Sequence, residues 1–447
     1  MKPMRFGFST LLLFFAAAAW SAEPEGKVFP YSYTQEDVPN GLRVITIPTD
    51  FPNIVSLYVV VQTGSRNEVE PGLSGFAHLF EHMMFRGTEK FPPERYEQTL
   101  QKAGASSNAY TSQDLTAYHI TFSKEDLETM LMMEADRFQN LKYPENVFRT
   151  EALAVLGEYN KNSANPISKL FEVLQDTAFD RHTYKHTTMG FLKDIQDMPN
   201  QYQYSLKFFD RYYRPEYTTI VVAGDVKHGQ VKPLVEKYWG KWQRGSHKAA
   251  IPAEPPQQGS RAAKVDWPTP TLPWVAVAWK APAYTDQAPD SAALDALSFL
   301  GFSPNSELYQ KLVVEEQKVD DLFAYNPDST DPYLFTVMAR VKNPADMDYV
   351  RDRILETAAG FRDNPVPKER LDTVKNHLRY GFSLRMDNSE AVAGTVARYV
   401  ALRRTPETID RLYAWYAKLT PEDVRSAAKK YLVDDGRTTV TLTGGGK

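Results

Sequence analysis

Residues 75–86 read GFAHLFEHMMFR. His78 and His82 are four positions apart, so on a helix both imidazoles leave the same face, one turn apart. Two neutral imidazoles at that spacing can share one zinc ion. Glu81, three after His78 and next to His82, lies close to the same face. A carboxylate there can take a proton from a water and later deliver it to a leaving amine. Leu79, Phe80, Met83, Met84 and Phe85 make the stretch apolar nearly all round, which predicts a buried helix. Two histidines and a glutamate in a buried helix need partners, and a metal supplies them.

The pattern H-x-x-E-H is the inverted form of the zincin motif. A hydrolytic zinc needs a third protein ligand, with the fourth position left for water. Downstream, residues 149–159 read RTEALAVLGEY on a helical pattern. Glu151 and Glu158 are seven apart, two turns, and share a face. One could ligate while the other orients an imidazole, and spacing alone does not choose between them. The chain has no cysteine, which excludes disulfide scaffolds, thiolate zinc sites and cysteine nucleophiles. A formal charge of −4 gives no electrostatic reason to expect nucleic acid.

Outward from the motif, 42–48 and 54–63 are rich in β-branched residues and read as strands, as does 116–122. Helical patterns follow at 124–141 and 145–162, and 218–222 reads as a strand. Residues 241–270 hold several prolines and few large apolar groups, a linker composition. The order then begins again: strand 274–280, helix 291–302, strand 333–341, helix 346–362, and a closing strand 438–442. In 447 residues this predicts an α+β fold of two tandem homologous domains, each a mostly antiparallel sheet packed against helices. We place a zinc-bearing catalytic domain at 23–245, a linker at 246–265 and a non-catalytic domain at 266–447.

Residues 1–22, MKPMRFGFSTLLLFFAAAAWSA, read as a secretory signal peptide: a basic start, a short apolar run, then small residues before the cleavage point. The expected destination is a bacterial periplasm. No later stretch holds about 18 uninterrupted apolar residues, so no membrane association is expected after signal cleavage.

With the H-x-x-E-H helix following two strands and a GLSGFAH loop, the chain resembles the pitrilysin–insulinase family of zinc metallopeptidases. The likeness is to its half-length branch, with mitochondrial processing peptidase and bacterial periplasmic heterodimeric members. The resemblance implies Zn2+ held by His78, His82 and Glu158, with Glu81 as general base and Glu151 orienting an imidazole. It further implies that residues 107–119, SNAYTSQDLTAYH, form the substrate strand, where Asn108 and Ala109 would bind an extended peptide by strand addition. His182 and His186 fall in an aromatic loop common in the family and are read as structural.

Two positions depart from the pattern. Self-sufficient members carry, in the second half, an Arg and a Tyr seven later that hold the substrate carbonyl, and these fall here on Val313 and Asp320. Neither side chain can do that work, and Lys311 and Tyr325 stand nearby at the wrong spacing; the alternative is that Lys311, Arg340 or Tyr325 fills the role within this chain. The resemblance thus implies a secreted zinc endopeptidase acting on peptides as the zinc-bearing subunit of a heterodimer, with a related subunit supplying the Arg/Tyr pair. The alternative is a non-catalytic scaffold or partner subunit of the same family.

Overall fold

The β-branched runs become strands in a computed structural model that describes residues 27–445. Thr34–Asp37 (β1), Arg43–Pro48 (β2), Ile54–Val61 (β3), Ser106–Thr111 (β4), Thr116–Ser123 (β5) and Thr218–Gly224 (β6) form one sheet, in the order β1-β2-β6-β3-β5-β4. Arg261–Trp267 (β7), Trp274–Lys280 (β8), Val319–Tyr325 (β9), Leu334–Val341 (β10) and Arg437–Gly444 (β11) form the other, in the order β7-β11-β8-β10-β9. The five strands β2-β6-β3-β5-β4 match β7-β11-β8-β10-β9 in order and in sense. In each set of five the first pair, β2-β6 or β7-β11, is parallel and the rest are antiparallel, and β1 adds to β2 as a further antiparallel strand. The α+β class and the tandem repeat expected from the pattern are therefore present as one topology drawn twice. The candidate signal segment lies outside the described residues.

The two halves are less self-contained than the sequence division implies. Helix Pro166–Ala178, from the first half, packs on β7 and β11, burying Leu170 and Leu174 with Trp274, Met338 and Leu442. In return, helix Ser389–Arg403 packs on β3 and β6, burying Val392, Val396 and Val400 with Tyr58, Val60 and Val221. Gly394 lets that helix come close, since a Cβ there would stand 2.9 Å from Tyr58 Oη. Each buried valine contributes roughly 1.5–3 kcal/mol. Each sheet thus depends on a helix from the other half, a long-range exchange that local periodicity cannot encode.

The linker assignment at 246–265 also changes. Residues 241–260 carry no helix or strand, but Arg261–Trp267 is β7. As an edge strand it alternates weakly, RAAKVDW, and its proline-rich neighbours hide it. Similarly, 107–119 divides into the hairpin β4–β5 rather than one strand. After Ser306 the second half forms a single helical turn, Glu307–Tyr309, and a π-helical stretch, Gln310–Glu315.

Ion pairs also join the halves. Asp331 Oδ2 accepts from Arg66 Nε at 2.6 Å and stands 2.9 Å from His182 Nε2. Burial pushes the Asp331 carboxyl up, but hydrogen bonds from His182 and Arg66 outweigh it and hold it down at about 2. A carboxylate depressed in the folded state stabilises above its ordinary value and loses that contribution as pH falls through the folded one. Asp331 keeps some solvent contact, so the contribution is about 1–2 kcal/mol. Asp331→Asn should lower the urea midpoint at neutral pH and remove part of the stability loss between about pH 4 and pH 2. An unchanged pH profile would contradict this pairing.

Candidate functional site

The motif helix, Phe76–Met83, is fixed at both ends and along its buried side. Gly75 precedes it with φ +92°, and a Cβ there would meet Met189 O at 2.8 Å. The buried Glu68 carboxylate accepts the backbone N–H of Gly75 and of Ala77, each at 2.7 Å, satisfying donors that a helix start leaves open. Phe80 stacks on Phe208 with ring centroids 5.3 Å apart, and its carbonyl accepts from Tyr118 Oη at 3.1 Å. With Phe76 and Phe80 buried in this aromatic cluster, the helix has one rotation, which sets His78 and His82 toward helix Glu145–Asn162.

From that second helix comes Glu158. Its Oε2 lies 3.5 Å from His78 Nε2 and 3.5 Å from His82 Nε2. One ligand atom from each residue lies within 4.8 Å of the others, and this is the group found among the described residues that could hold a metal ion. Ligands about 2.0–2.1 Å from a tetrahedral zinc stand roughly 3.3–3.4 Å apart, so both contacts fit one ion with little movement. Burial, with His82 beside it, holds His78 below the ordinary imidazole value, hence neutral and able to ligate. His78 Nδ1 is buried without a hydrogen-bond partner among the described residues.

The other glutamate has a different place. Glu151 is 6% exposed against 38% for Glu158, and it faces the opposite nitrogen, His82 Nδ1, at 3.7 Å. Arg86 holds it from the short turn Met84–Arg86, with Nε 3.0 Å from Oε1 and Nη2 donating to Oε2 at 3.2 Å. The contact with Glu151 raises His82 against the effect of burial. The chain Arg86–Glu151–His82 orients an imidazole whose Nε2 is left toward Glu158.

Glu81 points to a sheet edge. Thr111 Oγ1, at the end of outermost strand β4, donates to Glu81 Oε2 at 2.6 Å. Burial pushes the Glu81 carboxyl above the ordinary range, against the pull of that hydroxyl. Asn108 and Ala109 lie on the same strand, and the Ala109 N–H is met by its neighbour's side chain, Asn108 Oδ1, at 2.9 Å.

His182 and His186 lie elsewhere: His182 beside Asp331, and His186 with Nδ1 3.8 Å from Glu68. Val313 packs against the second half's core, while Asp320 accepts from Arg340 Nε at 2.7 Å. Glu68, Arg86 and Thr111 were not anticipated from the sequence. Glu68 and Arg86 flank the motif closely enough to suggest themselves, but nothing in the pattern assigns Thr111 a partner.

Comparison with known proteins adds a second line of observation. Residues 43–191 match the family model for insulinase (peptidase family M16), and residues 201–378 match that for the M16 inactive domain. The zinc protease PqqE of Helicobacter pylori is 29% identical over 443 residues, covering 98% of this chain and 97% of that one. The mitochondrial-processing peptidase subunit beta of Bos taurus is 26% identical, covering 88% of this chain and 81% of that one. The crystal structure of a protease from Helicobacter pylori superposes with TM-score 0.86 at 29% identity, over 92% of this chain and 99% of that one. The first half of the periplasmic protease PqqL from Escherichia coli shares the fold, with TM-score 0.72 at 17% identity over 92% of each chain.

Proposed function

The chain belongs to the insulinase family of peptidases, family M16, and from that premise we propose that it is a secreted zinc-dependent endopeptidase cleaving extended peptides. His78, His82 and Glu158 would hold Zn2+, and Glu81 would act as general base. The observation that carries this reading is the convergence of the three donor atoms with a carboxylate tied to an open sheet edge. A zinc ion bound there supplies Lewis acidity toward a peptide carbonyl and a water.

The chain's own residues do the rest. Asn108 and Ala109 on β4 offer backbone and amide groups to a peptide laid alongside as a further strand. The strand leads that peptide past Thr111 to Glu81. Glu81 Oε takes a proton from the attacking water and returns it to the leaving amine, a transfer suited to a carboxyl raised by burial. Glu151 and Arg86 keep His82 aimed. Secretion to a periplasm, through a signal peptide at 1–22, and a related subunit carrying an Arg/Tyr pair complete the proposal.

Unstructured peptides should be cut and folded domains spared, because strand addition needs an extended backbone. A metal chelator should abolish cleavage and added zinc restore it. Cleavage that survives the chelator would overturn the reading. Glu151→Gln should weaken zinc affinity by about 10–100-fold, the usual cost of losing a residue that orients a ligand. Competition with a fluorescent zinc indicator measures it, and unchanged affinity would remove Glu151 from the site.

A further inference from the structure

A cleft of about 520 Å³ lies between the two halves beside the edge strand β4. Tyr110 lines it from that strand, Tyr325 from the end of β9 and Arg398 from helix Ser389–Arg403. Strand register explains its place. Tyr110 pairs with Ala117 and Ala117 with Val60, so the three side chains share one face of the sheet. Helix Ser389–Arg403 covers that face over β3 and β6, and Tyr110, on the outermost strand, stays 37% exposed. The next residue, Thr111, points to the other face, where its hydroxyl meets Glu81. A peptide added to β4 therefore alternates between two environments: one side chain toward Glu81, the next toward Tyr110 and the cleft.

The charges of the cleft are ordered by depth. Arg398 is the one Lys or Arg among its lining residues, and its side chain is 60% exposed against 8% for its partner Asp328. Among the described residues its single hydrogen bond runs from Nη2 to Asp328 Oδ2 at 3.2 Å, which leaves most of the guanidinium fork unengaged. The other acid in the lining, Asp114, is nearly buried and taken at both oxygens, by Tyr184 Oη at 2.6 Å and the Thr330 N–H at 2.9 Å. What a peptide side chain meets on entering is thus the cation. Burial raises the Tyr110 and Tyr325 phenols while the Arg398 charge pulls both the other way, so the guanidinium stands within electrostatic reach of both rings.

We propose that Arg398, flanked by Tyr110 and Tyr325, selects an acidic side chain in the peptide, at the position neighbouring the residue presented to Glu81. The carboxylate accepts from the unengaged guanidinium N–H groups, and the methylene stem of a glutamate lies along the tyrosine rings. A lysine or arginine at that position meets like charge. The inference rests on the strand addition to β4 proposed above and adds to it the class of side chain preferred.

Calorimetric titration of the zinc-loaded full chain tests it, with Glu81→Gln in place so that bound peptides stay whole. The probes are short unstructured peptides of alanine, serine and threonine, blocked at both ends, with glutamate, glutamine or lysine set in turn at each interior position. At one position glutamate should bind about tenfold more tightly than glutamine, with lysine weakest. Arg398→Met should remove that difference and leave zinc content unchanged. Equal affinity for glutamate and glutamine at every position would overturn the proposal. So would tighter binding of lysine, a glutamate preference that survives Arg398→Met, or no saturable binding at millimolar concentration. The three-way comparison needs no change at Arg398 and decides the matter even where Arg398→Met fails to fold. Chelator-sensitive cleavage by the unaltered chain is read separately. A chain that prefers glutamate but cuts nothing contradicts the peptidase reading alone, and one that cuts without the preference contradicts the role of Arg398 alone.

Discussion

Glu81→Gln should lower peptide turnover by at least ~100-fold while leaving zinc in place. Glutamine keeps the shape of glutamate, and its carbonyl can still accept the Thr111 hydroxyl now bonded to Glu81 Oε2 at 2.6 Å. The local structure therefore persists. What disappears is a carboxylate able to take a proton, and a positioned general base typically contributes about 100–10,000-fold. The donor atoms of His78, His82 and Glu158 are untouched, so metal content measured alongside turnover separates the two roles. A Glu81→Gln chain that cleaves at near the original rate would remove Glu81 as the base. One that loses both zinc and activity would make it part of the metal site instead.

The second large effect concerns the donors that the proposed heterodimer would supply. Developing oxyanion charge is normally met by positioned donors, and losing one costs about 100–1,000-fold in turnover. At the two positions where such donors are expected, Val313 is apolar and packed against the core, and Asp320 is an acid. Arg340, the nearest guanidinium to Asp320, is bound to it at 2.7 Å. Tyr325 ends β9 47% exposed, lining a cleft of about 520 Å³ with Tyr110 and Arg398. The isolated chain is therefore expected to be a weak peptidase, with turnover rising at least about 100-fold when a related subunit brings the Arg/Tyr pair. Purified chain, assayed with and without the candidate partner, decides this. Full activity of the chain alone, lost in Tyr325→Phe or Arg340→Met, would show that the donors lie within it.

Much of the architecture was legible because it rests on local signals. The runs read at 54–63, 145–162 and 274–280 are found as the strand Ile54–Val61, the helix Glu145–Asn162 and the strand Trp274–Lys280, the two strands as near-continuous apolar runs rich in β-branched or aromatic residues. His78 and His82 were brought together by spacing on one helix. Glu158 could be matched only through resemblance, because its approach depends on two helices packing, which sequence spacing does not report. The hidden features are all long-range or weakly patterned. Strand β7 is a polar edge strand, the exchanged helices at 166–178 and 389–403 carry no local sign of which sheet they cover, and the Thr111–Glu81 bond joins residues 30 apart.

The central claim is that one zinc ion is held by His78, His82 and Glu158. Crystals of the full chain, grown with zinc and measured on both sides of the zinc absorption edge, test it most directly. The account predicts a single anomalous peak per chain, between His78 Nε2, His82 Nε2 and the Glu158 carboxylate, and its disappearance in Glu158→Gln. A peak placed on any other group of side chains, or one that persists in Glu158→Gln, would contradict it.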